Sequence, residues 1–147
     1  MAQRSERDHG SLKRFEVSIE ERLLDAFDKL ISRRGYHNRS EAIRDLIRDR
    51  LVEEEWASGN REVMGTITLV YDHHTRELQS RMTELQHQHH AHVISTLHVH
   101  MDHHNCLEVL VVRGRPREIR ALSDGLISLK GVKHGRLNAT TAGRSLT

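Results

Sequence analysis

With 147 residues, 36% hydrophobic and only 3% aromatic, the chain has room for one ordinary domain or two small ones, each with a thin core, so burial between subunits is the expected remedy. A formal charge of +2 excludes a strongly basic coat, and any claim of nucleic-acid binding must rest on where the charges sit. No apolar run approaches the ~20 residues that cross a bilayer; the N-terminus MAQRSERDHG lacks the apolar segment of a signal peptide; and the single cysteine excludes an intrachain disulfide and fits a reducing compartment. The expectation is a soluble, cytoplasmic protein.

In chain order, residues 1–12 are polar and aperiodic and read as a flexible arm. Lys13 to Ile19 alternates, with Phe15, Val17 and Ile19 on one face and Arg14, Glu16 and Ser18 on the other, the two-residue period of a short strand. Leu23, Leu24, Phe27, Leu30 and Ile31 then recur at helical spacing, and Arg33-Arg34-Gly35 supplies a basic last turn with a glycine beyond it. Asn38 with Glu41 three positions on is a helix start, and Ala42, Ile43, Leu46, Ile47 and Leu51 carry a second apolar stripe to about Glu55. A strand and two short helices cannot bury these faces alone. Two copies can, by pairing strands antiparallel, and a two-stranded ribbon fits the major groove of B-DNA.

Residues 56–61 read as a linker, with Trp56 packed at the junction. A strand follows to Asp72, then a helix from His74 to Gln86, two strands forming a hairpin, a helix opened by Pro116, and a last strand from Val132 to Asn138. Strand-helix-strand-strand-helix-strand over 62–138 is the ferredoxin-like plan, giving an α+β fold. Residues 139–147 are expected to fray.

The chemistry concentrates between Gln86 and Cys106, where His87, His89, His90, His92, His98, His100, His103 and His104, eight of the 13 histidines, precede the cysteine. Imidazole and thiolate suit nickel, copper, cobalt and zinc. In Thr96-Leu97-His98-Val99-His100 the two imidazoles share one strand face, roughly 6.5 Å apart. Alone, such a pair is equally the polar face of a sheet. Cys106, one short turn on and on the face of Glu108, turns the reading towards a metal site. One hairpin thus offers three ligands, and a fourth has to come from elsewhere. His103 and His104 read as solvated turn residues. Glu108 is a candidate acceptor for an imidazole N–H, or a solvated strand residue. Ligand type does not fix geometry, so imidazole nitrogens with a sulfur suit zinc in a tetrahedron as well as nickel or copper in a plane.

The strand RFEVSI and the run Gly35-Tyr36-His37-Asn38-Arg39-Ser40-Glu41-Ala42-Ile43-Arg44-Asp45 resemble the ribbon-helix-helix repressors. Together with Thr96-Leu97-His98-Val99-His100 and Cys106-Leu107-Glu108, they resemble the NikR family of nickel-responsive repressors over about Lys13 to Asn138. The resemblance implies an N-terminal ribbon-helix-helix domain over 13–55 and an ACT-type ferredoxin-like core that forms a homotetramer, a dimer of dimers. It implies nickel held by His98, His100 and Cys106 of one chain and His87 of a neighbour. It also implies a potassium-type site at Glu41 and Asp45, four apart on a helix and so on one face, completed by carbonyls near Ile127, Leu129 and Val132; the plain alternative is a solvated acidic face. DNA contacts carry over to Arg14, Glu16, Ser18, Asn38, Arg39, Ser40 and Arg76. Glu16 departs from the family's threonine or serine, and a carboxylate there accepts from cytosine rather than favouring phosphate.

The expected function is nickel-dependent repression at double-stranded operator DNA, acting on nickel-uptake genes, with no membrane and no small-molecule substrate as partner. The rivals are a sensor of zinc, copper or cobalt, and a metal storage or delivery protein, which leaves the N-terminal module unexplained. A closed four-ligand site without a nucleophile–base pattern argues against an enzyme.

Overall fold

The structure, a computed structural model, describes residues 12–90 and 92–146. Two compact units carry the chain, one ending at Arg48 and the other running from Asp49 to Arg144.

In the first unit, helix α1 (Glu21–Arg33) has Glu21 in its first turn and Arg33 in its last, both complementing the helix dipole. It stops where Gly35 takes φ +83°, with Gly35 N–H donating to Ser32 O and Tyr36 N–H to Ile31 O, a Schellman termination that needs a residue free of a Cβ penalty. Helix α2 (Arg39–Ser58) is capped as its sequence predicts, Asn38 Oδ1 accepting from Glu41 N–H at 2.8 Å. Arg39 grips Asp28 of α1 with two hydrogen bonds of 2.8 and 2.6 Å. The expected strand at 13–19 differs: residues 12–20 carry no strand pairing, and Phe15 and Val17 are exposed. A strand exists only through its ladder, and within one chain this segment has no partner.

The second unit holds strands β1 (Val63–Asp72), β2 (Val93–His100), β3 (Asn105–Gly114) and β4 (Val132–Thr140), with helices α3 (Leu78–Gln88) and α4 (Pro116–Ile127) in the crossovers. The sheet order is β2-β3-β1-β4, every pair antiparallel, as the ferredoxin-like plan requires. In the central strands alternate residues are buried: Val63, Ile67, Leu69 and Tyr71 on β1, and Cys106, Glu108, Leu110 and Val112 on β3. Leu78, Met82, Ile119, Leu122 and Leu126 of the two helices complete that core. Gly135 lets β4 approach it, because a Cβ there would overlap Ile127 Cγ1. The edge strand β2 is exposed along almost its whole length, Leu97 and Val99 included.

Three boundaries differ from the sequence expectation. The linker at 56–61 is helical to Ser58, because Trp56 is buried in the second unit's core and donates its indole N–H to Thr140 O at 2.8 Å. The tail expected to fray from 139 instead pairs Ala139 and Thr140 with β1, and the Thr141 hydroxyl donates to Glu55 at 2.8 Å. The third helix starts at Leu78 rather than His74, since Asp72 accepts the His74 N–H with its side chain and the Thr75 N–H with its carbonyl, an Asx-type turn that competes with helix.

Candidate metal centre

The β2–β3 hairpin sets the centre. Its turn is organised by Asp102, whose carboxylate accepts the backbone N–H groups of His104 and Asn105, each at 2.8 Å, and the Asn105 side-chain amide. These bonds, the Asn105 side chain first, hold the Asp102 carboxyl down at about 2. Lys133 Nζ pins Asn105 Oδ1 at 2.6 Å, and Met101 N–H closes the hairpin on Asn105 O. His100 thereby stands opposite Cys106 and His98 opposite Glu108, with both imidazoles on the face that carries the core.

Cys106 is fully buried, and burial, more than the nearby carboxylates of Asp102, Asp72 and Glu108, pushes its thiol up. The free thiol therefore keeps its proton, and an ion would displace it. His100 Nδ1 lies 3.3 Å from the sulfur. Two donors bound side by side to one ion at typical Zn–S and Zn–N lengths lie roughly 3.1 to 3.6 Å apart, depending on geometry, so this pair fits a shared metal.

A residue that sequence reasoning missed completes the cluster. His73, just past β1, places Nδ1 3.5 Å from Cys106 Sγ, and the donor atoms of His73, His100 and Cys106 all lie within 4.8 Å of one another. The signal was available in parity. Val63, Ile67, Leu69 and Tyr71 share a face, His73 is the next residue of that series, and Tyr71 pairs directly with Cys106.

His98 lies outside that cluster, though its ring centre is 4.8 Å from that of His100. His87 sits in the last turn of α3, exposed, its carbonyl accepting from His90, and one chain does not bring it to the cysteine. Glu108 departs from its expected partner. It is buried, and its two oxygens accept from Tyr71 OH and Gln86 Nε2, each at 2.9 Å, rather than from an imidazole. Burial and this carboxylate push the Tyr71 phenol far up, keeping it a donor. Gln86 immediately precedes His87, so Glu108 ties the strand of Cys106 to the helix end that carries His87.

In the first unit Asp45 accepts from Tyr36 OH at 3.0 Å and Arg48 at 2.9 Å, which lower its carboxyl, one bond to each of its two oxygens. Arg14, Glu16, Ser18 and Ser40 are exposed, Asn38 is the helix cap, and Arg39 is engaged by Asp28. Arg76 is exposed in the turn before α3 rather than inside that helix. No helix is long and apolar enough to cross a membrane among the described residues.

These features define a class of protein: a two-helix module of ribbon type joined to a ferredoxin-like domain carrying an imidazole–thiolate centre. Residues 13–54 match the ribbon-helix-helix proteins of the copG family, and residues 64–140 match the family described as the NikR C-terminal nickel-binding domain. Proteins from Geotalea uraniireducens and Geobacter sulfurreducens, each described as a "Putative nickel-responsive regulator", are 60% and 61% identical over 93% of this chain and 99% of their own length. A third of the same description, from Solibacter usitatus, is 60% identical over 92% of this chain and 97% of its own. The chain belongs to the NikR family. It is a nickel-responsive transcription regulator and not an enzyme.

Proposed function

We propose that the protein is a nickel-dependent repressor in which nickel acts as corepressor, taking His98, His100 and Cys106 from one chain and His87 from a neighbour. The observation that carries this reading is the pairing of His100 Nδ1 with a buried thiol at 3.3 Å, one register step from His98 on the same sheet face. The metal supplies a cross-link between subunits. The chain supplies the coupling: Glu108 ties β3 to Gln86, so that order at the centre is shared with the helix end bearing His87. Restricting the core in this way favours the arrangement in which paired ribbons engage two half-sites of one operator. Arg14, Glu16 and Ser18 read the bases, while Asn38 and Ser40 at the start of α2, with Arg39 once it leaves Asp28, meet phosphate.

The assembly is a homotetramer. The uncovered apolar side of β2, where Leu97 is 60% and Val99 40% exposed, supports sheet packing between chains. A potassium-type ion at Glu41 and Asp45 belongs to the DNA-bound form, and the protein acts in the cytoplasm on nickel-uptake genes. A gel-shift with a palindromic operator tests the reading: nickel tightens binding, and Cys106→Ala removes the nickel response while the tetramer persists. A variant that responds to nickel as the parent does would overturn the ligand assignment.

A further inference from the structure

We propose that Asp28 is an internal anion that holds Arg39 back from DNA phosphate, an autoinhibitory latch carried once in every chain and opened when a duplex is engaged. The inference rests on the phosphate role given to Arg39 above. Arg39 is the first residue of α2, where the helix dipole and the first N–H groups favour an anion. The anion it meets in the free chain is the protein's own. Arg39 Nε and Nη2 donate to the two Asp28 oxygens at 2.8 and 2.6 Å, a side-on fork from α2 onto α1. These bonds hold the Asp28 carboxyl below its ordinary value, so the carboxylate is charged at neutral pH.

Two observations make the pair a latch rather than a fixed brace. The side chains are 54% and 39% exposed, and an ion pair this open to water and salt is weak enough for a phosphate to displace. The released carboxylate also has somewhere to turn, because Lys29, Ser32 and Arg33 line a cleft with it on α1. While the pair is closed the guanidinium is neutralised, and a phosphate at its remaining edge gains little. Opening exchanges one carboxylate for one phosphate and restores a full positive charge to the start of α2. Because a phosphate carries no sequence, the latch weakens binding to every duplex alike. It keeps the free regulator off arbitrary DNA and leaves engagement to the ribbon's base contacts and to nickel.

The test measures binding of the nickel-loaded full chain to a mixed-sequence linear duplex over a range of salt. The variants are Asp28→Asn, Asp28→Ser, Asp25→Asn, Arg39→Gln, and Arg39→Gln combined with Asp28→Asn. Asp25 is exposed one turn earlier on α1, so its variant makes the same charge change without touching Arg39. Opening both latches of a ribbon pair should tighten binding by roughly two- to twentyfold, and each freed arginine should steepen the salt slope by about 0.9. Asp25→Asn should fall short of both, and Arg39→Gln should bind more weakly than the parent. On the Arg39→Gln background, Asp28→Asn should add no more than Asp25→Asn does to the parent. Unfolding midpoints matched to the parent establish that the variants are folded, and either Asp28 variant suffices. Weaker binding in a folded Asp28 variant makes Asp28 a brace and overturns the latch, as does a gain no larger than that of Asp25→Asn. Arg39→Gln that binds as the parent does overturns the phosphate role of Arg39, and the latch with it, while leaving the nickel ligands as proposed.

Discussion

The two units treat their apolar residues in opposite ways. In the first, Ile31 and Ala42 are the buried apolar residues among those described, while Phe15, Val17, Leu23, Leu30, Leu46 and Ile47 stand between 39% and 69% exposed. In the second, Val63, Ile67, Leu69, Leu110, Ile119, Leu122 and Leu126 are wholly buried. Both stripes have the spacing of a core-facing surface, but only the second unit meets a layer of its own to pack on. A second copy of itself is the layer proposed for the first unit, whose stability is then expected to depend on protein concentration more steeply than that of the second, which has a core of its own.

Cutting into each core sharpens that contrast. Leu110→Ala should cost about 2–5 kcal/mol, the range for emptying a fully buried leucine site, with the same loss at every protein concentration in a denaturant titration. Phe15→Ala should leave the second unit's transition where it was and shift the first unit's only through weakened self-association, so its effect shrinks as concentration rises. Equal, concentration-independent losses from the two variants would break the comparison. A smaller effect is expected at the start of α2. Asn38→Ala removes the side-chain acceptor for Glu41 N–H and should cost about 1 kcal/mol, read in the first unit's transition and not in the second.

The smallest effect is expected at the metal hairpin and appears only in acid. The Asp102 carboxyl sits at about 2 in the folded chain against an ordinary 3.8. Because the folded value is depressed, its contribution is fully present above the ordinary value and disappears as pH falls towards about 2. Asp28, Asp45 and Asp72 are also lowered and lose stability in the same direction. The difference between parent and Asp102→Asn isolates the turn. It should be largest at neutral pH and close as the parent's carboxylate protonates. A gap that stays constant through that window would remove Asp102 from the account of how the hairpin is held.

Local periodicity made much of this protein readable from its residues. The helical stripes of α1 and α4, the Asn38 cap, the Gly35 stop and the alternation of β1 and β3 depend on neighbours a few positions away, and each element formed where its pattern lies. The hairpin parity that places His98, His100, Cys106 and Glu108 on one face is of the same kind. What the residues could not disclose depends on which strands lie side by side. Only the position of β1 between β3 and β4 delivers His73 to Cys106, gives Glu108 the phenol of Tyr71, and draws Thr140 to the indole of Trp56 so that α2 runs on to Ser58. The order of side chains along the chain decided the faces. Contacts between residues tens of positions apart were decided by the sheet, because pairing energy is gained only once distant strands have met.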